Sequence, residues 1–309
     1  MATLRLEDKT AFTALACPAT RQPLRRDGDR LVTPDGSRSY PVVREVPRFV
    51  PGDFYTRSFS FEWNVHSTTQ IDTHRTDGWS EKEFSEKTGL TPEQVRGKLV
   101  LDAGVGAGRY AEVLARWGAT VVGADLSFAV EAANGHFHDR GDVMLCQADI
   151  GALPFRPGTF DLIISIGVLH HTPDTRKYFA ALPPLLKPAG EIAVWVYPDN
   201  PDYVTRKHWV AFVNRIPRSW YYSWCKVFVP WAVKRVNTPL GRWLLRVFPF
   251  SHQGRGVEND ILDTFDGYSP RYHGVHSVAE VKEWFREAGL TDVRDYPDWP
   301  TAVRGRRPA

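Results

Sequence analysis

Between residues 98 and 197 the sequence alternates short apolar runs with amphipathic segments, and this alternation restricts the chain more than any other feature. Residues 98–103 (KLVLDA), 120–125 (TVVGAD), 143–148, 160–166 and 191–197 read as strands. Residues 109–117, closed by Gly118, and 176–186, ending before Pro188-Ala189-Gly190, read as helices, and Ser127 stands where it would cap another. Strands separated by helices through short connections mean βαβ units and a parallel sheet. The expected fold class is therefore α/β, Rossmann-like, with helices on both faces of the sheet.

The first strand runs into Gly104-Val105-Gly106-Ala107-Gly108 and then into a helix. Glycines at such a turn let the backbone approach a ligand closely, at a helix start where unpaired N–H groups gather. A dinucleotide fingerprint needs a third glycine at position 109, and this chain has Arg109 there. The acid Asp102 just before the loop then favours a nucleoside without a pyrophosphate. Asp125 ends the next strand, where a carboxylate accepts hydrogen bonds from both ribose hydroxyls, and Asp149 follows the third strand at the same ligand-binding edge.

At this point the chain resembles the class I S-adenosylmethionine-dependent methyltransferases, in particular the type 11 group allied to ubiquinone and menaquinone biosynthesis. LVLDAGVGAGRY is similar to their first motif, VVGADLS to the second and CQADIGALPF to the third, while FDLIISIGVLHHTPD and LLKPAGEIAVWVY match the fourth and fifth. The resemblance implies S-adenosyl-L-methionine as cofactor and a methyltransferase activity in biosynthetic metabolism. It implies that Asp102 and the loop of Gly104, Gly106 and Gly108 hold the methionine end, Asp125 the ribose, and Asp149 and Ile150 the adenine, with Ala103 and Leu126 also among the cofactor-binding residues. Residues 166–169, beginning at Ile166, would line the site. The sulfonium methyl is already activated, so a base is needed only where the acceptor loses a proton. His170 and His171, after the fourth strand, are the candidates for that catalytic role. Tyr55, Tyr197, Trp209, Arg215, Tyr268, Tyr272 and His273 are the expected substrate-pocket residues, with His276 a further polar aromatic nearby.

The flanks extend the resemblance. Residues 1–52 read as a small β-rich module, with Asp27-Gly28 and Asp35-Gly36 as hairpin turns. It resembles a zinc-ribbon-like domain, but Thr20, Thr33 and Gly36 stand where paired cysteines would be, and Cys17 alone cannot hold a tetrahedral zinc. No metal is expected, and the HxH of His136 and His138 reads as solvent-exposed. Residues 53–97 form an expected helical connector, including a helix over 79–88 stopped by Gly89. The methyltransferase domain is assigned to 98–202 and 258–309. Its last helix is signalled by Ser277 as cap and by an apolar face of Val281, Trp284, Phe285 and Ala288.

Residues 203–257 are left as an inserted cap. They contain ten Lys and Arg and no Asp or Glu, although the whole chain carries a net charge of only +3. Trp209, Phe212, Val213 and Ile216, and then Trp220, Trp224, Val227, Phe228 and Trp231, recur at helical spacing, and those faces are expected to be buried. A cap of this kind suits a small-molecule or lipid-like acceptor of anionic character, with peripheral membrane contact as a related use of the same residues. Nucleic acid is not an expected partner, and oligomeric state is not legible. A catalytically silent S-adenosylmethionine-binding regulator and an RNA-directed methyltransferase are the alternatives kept. With 42% hydrophobic residues and apolar stretches of about eight, no membrane span is expected. Three scattered cysteines and an N-terminus without an apolar leader place the chain in the cytoplasm as an expectation.

Overall fold

The structure, a computed structural model, describes residues 4–52, 56–60, 71–74, 78–199, 206–252, 254 and 256–309. Strands β1 (Arg25–Asp27), β2 (Arg30–Val32), β3 (Ser39–Val43) and β4 (Val46–Pro47) form an antiparallel sheet in that order. The main sheet comprises β5 (Leu99–Ala103), β6 (Thr120–Asp125), β7 (Val143–Gln147), β8 (Phe160–Ile166), β9 (Leu186–Trp195), β10 (Thr291–Asp295) and β11 (Ala302–Arg306). Its order is β10-β11-β9-β8-β5-β6-β7. Strands β5 to β9 pair in parallel, whereas β11 runs antiparallel between β9 and β10. The strand order turns at β5, so the ligand crevice lies beyond the carboxyl ends of β5, β6 and β8.

Successive strand residues face opposite sides, and both sides are packed. Leu101, Val122 and Ile163 join one core, while Val100, Val121, Leu162 and Ile164 join the other. Helices α1 (Trp79–Thr88), α2 (Pro92–Val95), α3 (Arg109–Arg116) and α4 (Ala129–Phe137) lie with the second core, to which Phe84, Val95, Leu114 and Phe137 belong. Helix α5 (Thr175–Ala180) and helix α10 (Val278–Glu287) lie with the first, through Phe179, Trp284 and Phe285. Ser277 caps α10 by accepting from Glu280 N at 3.2 Å, but Ala288, expected on its apolar face, is exposed.

The two hairpin turns of the N-terminal module form as expected, with Gly28 and Gly36 at φ 58° and 69°. The module is not a separate packing unit. Leu6, Leu15, Leu24, Leu31 and Val42 share the first core with Met144 and Cys146 of β7. Cys17 Sγ lies 3.1 Å from Tyr40 Oη, and Thr33 Oγ1 donates to Asp35 at 2.6 Å, so these side chains serve local hydrogen bonds. Among the described residues no cluster of His, Cys, Asp or Glu could hold a metal ion.

The cap contains α6 (Arg206–Val213), α7 (Arg218–Val233) and α8 (Pro239–Val247), and α9 (Val257–Tyr268) packs with them. Its core comprises Val210, Val213, Tyr221, Cys225, Val229 and Ala232 together with Phe250, Ile261, Phe265 and Tyr268. The boundary expected at 257 therefore falls too early, because α9 contributes three core side chains to the cap. The expected facing of α7 is reversed as well: its buried side is Tyr221, Cys225, Val229 and Ala232, whereas Trp220, Val227 and Trp231 are exposed. Among the described residues no helix is long and apolar enough to cross a membrane.

Candidate active site

The loop after β5 takes a shape that requires its glycines. Gly104, Gly106 and Gly108 have φ of 97°, 52° and 98°, a region costly for residues with a Cβ. Space forbids a side chain too. A Cβ on Gly104 would lie 2.3 Å from Val168 Cγ1, and one on Gly108 would lie 2.5 Å from Phe137 Cε2. The loop is thus held between the turn leaving β8 and helix α4.

Asp125 fastens that loop to the end of β6. Gly106 N donates to Oδ2 at 2.9 Å, while Ser127 N and Oγ donate to Oδ1 at 2.8 and 2.7 Å. Ser127 Oγ also accepts from Ala129 N at 3.1 Å, which satisfies the start of α4 although Phe128 occupies the cap position. Burial raises the Asp125 carboxyl, and the Ser127 and Gly106 donors oppose the rise. Asp102 is 3% exposed. Burial first, and the Asp125 charge second, push it up to about 7. Two carboxylates sharing one desolvated place favour a cation beside them. Ala103, Leu126, Ile150 and Ile166 are buried around this edge. Asp149 caps the turn Ile150–Ala152 through Gly151 N at 2.8 Å and accepts from Tyr178 Oη at 3.4 Å.

The second half of the site follows β8 and β9. His170 and His171 form a single turn of 3-10 helix with Leu169 and are both buried. The His170 ring stacks on Tyr197 at 3.8 Å between centroids, and His171 lies 4.1 Å from His170 and 5.2 Å from Tyr197. His273 completes the group, 5.0 Å from Tyr197 and 6.2 Å from His171. The segment that carries His273 is stitched down by three hydrogen bonds. His171 Nδ1 lies 3.0 Å from the Tyr272 carbonyl, Gly274 N donates to His170 O at 2.8 Å, and His276 N donates to Tyr197 O at 3.0 Å. A carbonyl only accepts, so His171 carries its proton on Nδ1 and presents a bare Nε2. That Nε2 and both His170 ring nitrogens have no hydrogen-bond partner among the described residues. Burial, then neighbouring positive charge from His171, His273, His276 and Lys87, holds His170 well below its ordinary range. Burial also pushes His171 down to about 3, against the Tyr272 bond. Both imidazoles are neutral in ordinary buffers.

Of the expected pocket residues, Tyr197, Tyr272 and His273 are brought together at His170 and His171. Trp209, Arg215 and Tyr268 are not. Trp209 donates Nε1 to Val247 O at 2.9 Å within the cap, Arg215 is exposed and donates to Ala211 O at 2.7 Å, and Tyr268 sits in the cap core. Those three side chains are engaged within the cap, away from His170 and His171. Tyr55 lies outside the described residues.

A buried charge network behind the site was not foreseen. Glu83 of α1 accepts from Lys87 Nζ at 2.5 Å, Arg109 Nη2 at 2.6 Å and Trp79 Nε1 at 2.7 Å. Burial acts to raise the Glu83 carboxyl, but Lys87 and Arg109 hold it well below its usual range. Lys87 Nζ in turn lies 3.7 Å from the Trp195 ring centroid and 4.3 Å from that of Trp299, and Trp195 packs edge-on to Tyr197 and His170. The only signal available in the sequence was Arg109 itself, standing where a glycine would otherwise close the loop.

Residues 101–194 match the family model described as "Methyltransferase domain". Over 111 residues the chain is 40% identical to a ubiquinone biosynthesis O-methyltransferase of Thiobacillus denitrificans, covering 35% of this chain and 46% of that protein. A protein of the same description from Paracidovorax citrulli is 36% identical over 113 residues, with coverages of 35% and 45%. The chain thus spans a little under half the length of these curated relatives. Among solved structures, the complex of the Haloferax volcanii Trm112 methyltransferase activator with its putative methyltransferase aligns at TM-score 0.49 and 16% identity. That alignment covers 84% of this chain and 100% of the other. The Burkholderia thailandensis 1,6-didemethyltoxoflavin-N1-methyltransferase aligns at TM-score 0.44 and 17% identity, covering 93% and 100%.

Proposed function

We propose that this chain, whose residues 101–194 carry a methyltransferase domain, transfers a methyl group from S-adenosylmethionine to a hydroxyl of a small-molecule or lipid-like acceptor. The observation that carries the reading is the contact between Gly104 and Val168. It sets the glycine loop directly against the turn that bears His170 and His171. The loop and the carboxylates fit the cofactor's chemistry. The positive φ of Gly104, Gly106 and Gly108 turns the loop so that its backbone can approach a ligand closely, Asp102 and Asp125 offer negative charge to a sulfonium and an ammonium, and Asp125 stands where ribose hydroxyls would share its oxygens.

Bound there, S-adenosylmethionine supplies a methyl group that needs no further activation. The chain's own residues hold the acceptor in line with it, and orientation of this sort supplies much of the rate. Tyr197 and His273 wall an aromatic acceptor, and His171 Nε2, unprotonated by virtue of the Tyr272 bond, accepts a hydrogen bond from the attacking hydroxyl and so aims its oxygen at the methyl. The choice of oxygen as the methylated atom rests on that acceptor and on the O-methyltransferase relatives.

The test is transfer of labelled methyl from S-adenosylmethionine into a cell extract, followed by separation into organic and aqueous fractions. A labelled product is expected in the wild type and a loss of at least about tenfold in His171→Gln, the scale for misplacing the acceptor hydroxyl. Asp125→Ala should weaken S-adenosylhomocysteine binding by about 1–3 kcal/mol in calorimetry. Binding of S-adenosylhomocysteine without any labelled product would turn the reading toward a silent cofactor-binding regulator.

A further inference from the structure

The outer face of the cap is apolar where an ordinary protein surface is not. On α7, Trp220, Trp224, Val227 and Trp231 follow one another at spacings of a helical face, and Trp220 and Val227 are 71% and 76% exposed. On α8, Leu240, Trp243 and Val247 do the same, and Trp243 is 52% exposed. The two faces are one surface. Phe248 touches the rings of Phe228, Trp243 and Trp209 at 5.6, 6.0 and 6.1 Å between centroids, and Phe228 touches Trp224 and Trp231 at 4.3 and 5.9 Å. Scattered exposed apolar residues need no explanation, but a connected aromatic surface marks an interaction site.

Its rim decides what covers it. Lys234, one helical turn beyond Trp231, is exposed and forms no ion pair among the described residues, and Lys226 and Arg242 are exposed elsewhere on α7 and α8. Arg235 lies over the Trp231 ring at 4.4 Å. No Asp or Glu occurs in residues 203–257. A second copy of the same face would bring like charges together around the apolar patch, so self-association is disfavoured. Tryptophan rings settle at the headgroup level of a bilayer, and lysine and arginine beside them are drawn to anionic lipid.

We propose that the face of α7 and α8 seats this protein on the surface of an anionic phospholipid bilayer, with the tryptophans in the interfacial layer and the rim cations on lipid phosphates. This goes beyond the transfer reaction and does not depend on it. The experiment is co-sedimentation of the full chain with phosphatidylcholine vesicles, with and without phosphatidylglycerol, at low and high salt. The wild type should partition at least about tenfold more strongly to the anionic vesicles, less so at high salt, with a blue shift of tryptophan fluorescence. Trp220→Ser/Trp231→Ser/Trp243→Ser and, separately, Lys234→Glu/Arg235→Glu should each remove most of that binding while circular dichroism and S-adenosylhomocysteine affinity stay unchanged. Failure of the wild type to partition, or partitioning equal in all three proteins, would overturn the proposal. So would a wild-type dimer that the triple variant dissociates without any vesicle binding, which would make the face an interface between copies.

Discussion

Asp102 shows how a single side chain is tuned by what surrounds it. Its carboxyl is pushed up from 3.8 to about 7 by burial and by Asp125, so the folded protein holds a proton there that the unfolded chain has lost. Folding stability therefore falls as pH rises through that interval and levels off above about 7. Asp102→Asn should match the wild type in denaturant titrations near pH 4 and exceed it at pH 8. A cationic ligand reverses the balance, because a positive charge favours the ionised carboxylate. Calorimetry of S-adenosylmethionine binding near pH 6.5 in buffers of different ionisation enthalpy should report proton release in the wild type and none in Asp102→Asn. Equal proton release in both would detach Asp102 from the cofactor.

Among the elements, α1 holds the buried charge behind the site. It carries Glu83 and Lys87 into a buried cluster with Arg109. Removing one member strands the others without water, and such losses run to about 3–5 kcal/mol. Glu83→Gln is expected to lose stability on that scale in chemical denaturation. Replacing Glu83, Lys87 and Arg109 together with methionine should recover most of it; a loss in the triple variant as large as in the single one would show that the charges themselves are required. Apart from Arg109 at the end of the glycine loop, nothing in the sequence marked these residues, since charged positions on an amphipathic helix read as a solvated face. Strands β6 and β8 were legible to the residue, and β5 and β7 to within one, because strands covered on both sides are apolar throughout. Strand β9 begins earlier than expected because Lys187, Pro188 and Gly190 interrupt its apolar signal. Strands β10 and β11 were missed for a similar reason: Arg304 is buried against Glu191 and donates to Thr88 O at 3.0 Å, a pairing no periodicity reveals. The glycine loop and its acids were legible because their chemistry is local. The facing of α7 was not, because aromatics lie on both sides of it and size alone chose the wrong one.

At the scale of the whole molecule the described residues form three cores, and the cap's shares no residue with the two on either side of the sheet. Separately packed cores are expected to melt separately. Calorimetry should resolve two transitions, with S-adenosylhomocysteine raising only the one that belongs to the sheet; a single transition that shifts as a whole would show the cap and the sheet to be one cooperative unit. The two strands of chain that lead into and out of the cap meet side by side, for Pro198 bridges to His276 in parallel and Asp199 N donates to His276 O at 2.9 Å. A detour whose ends are already joined costs the remainder of the fold an entropy that grows only with the logarithm of its length. In evolutionary terms, the residues between that junction can be lengthened, shortened or traded for another sequence while the sheet and the loops at its edge scarcely register the change.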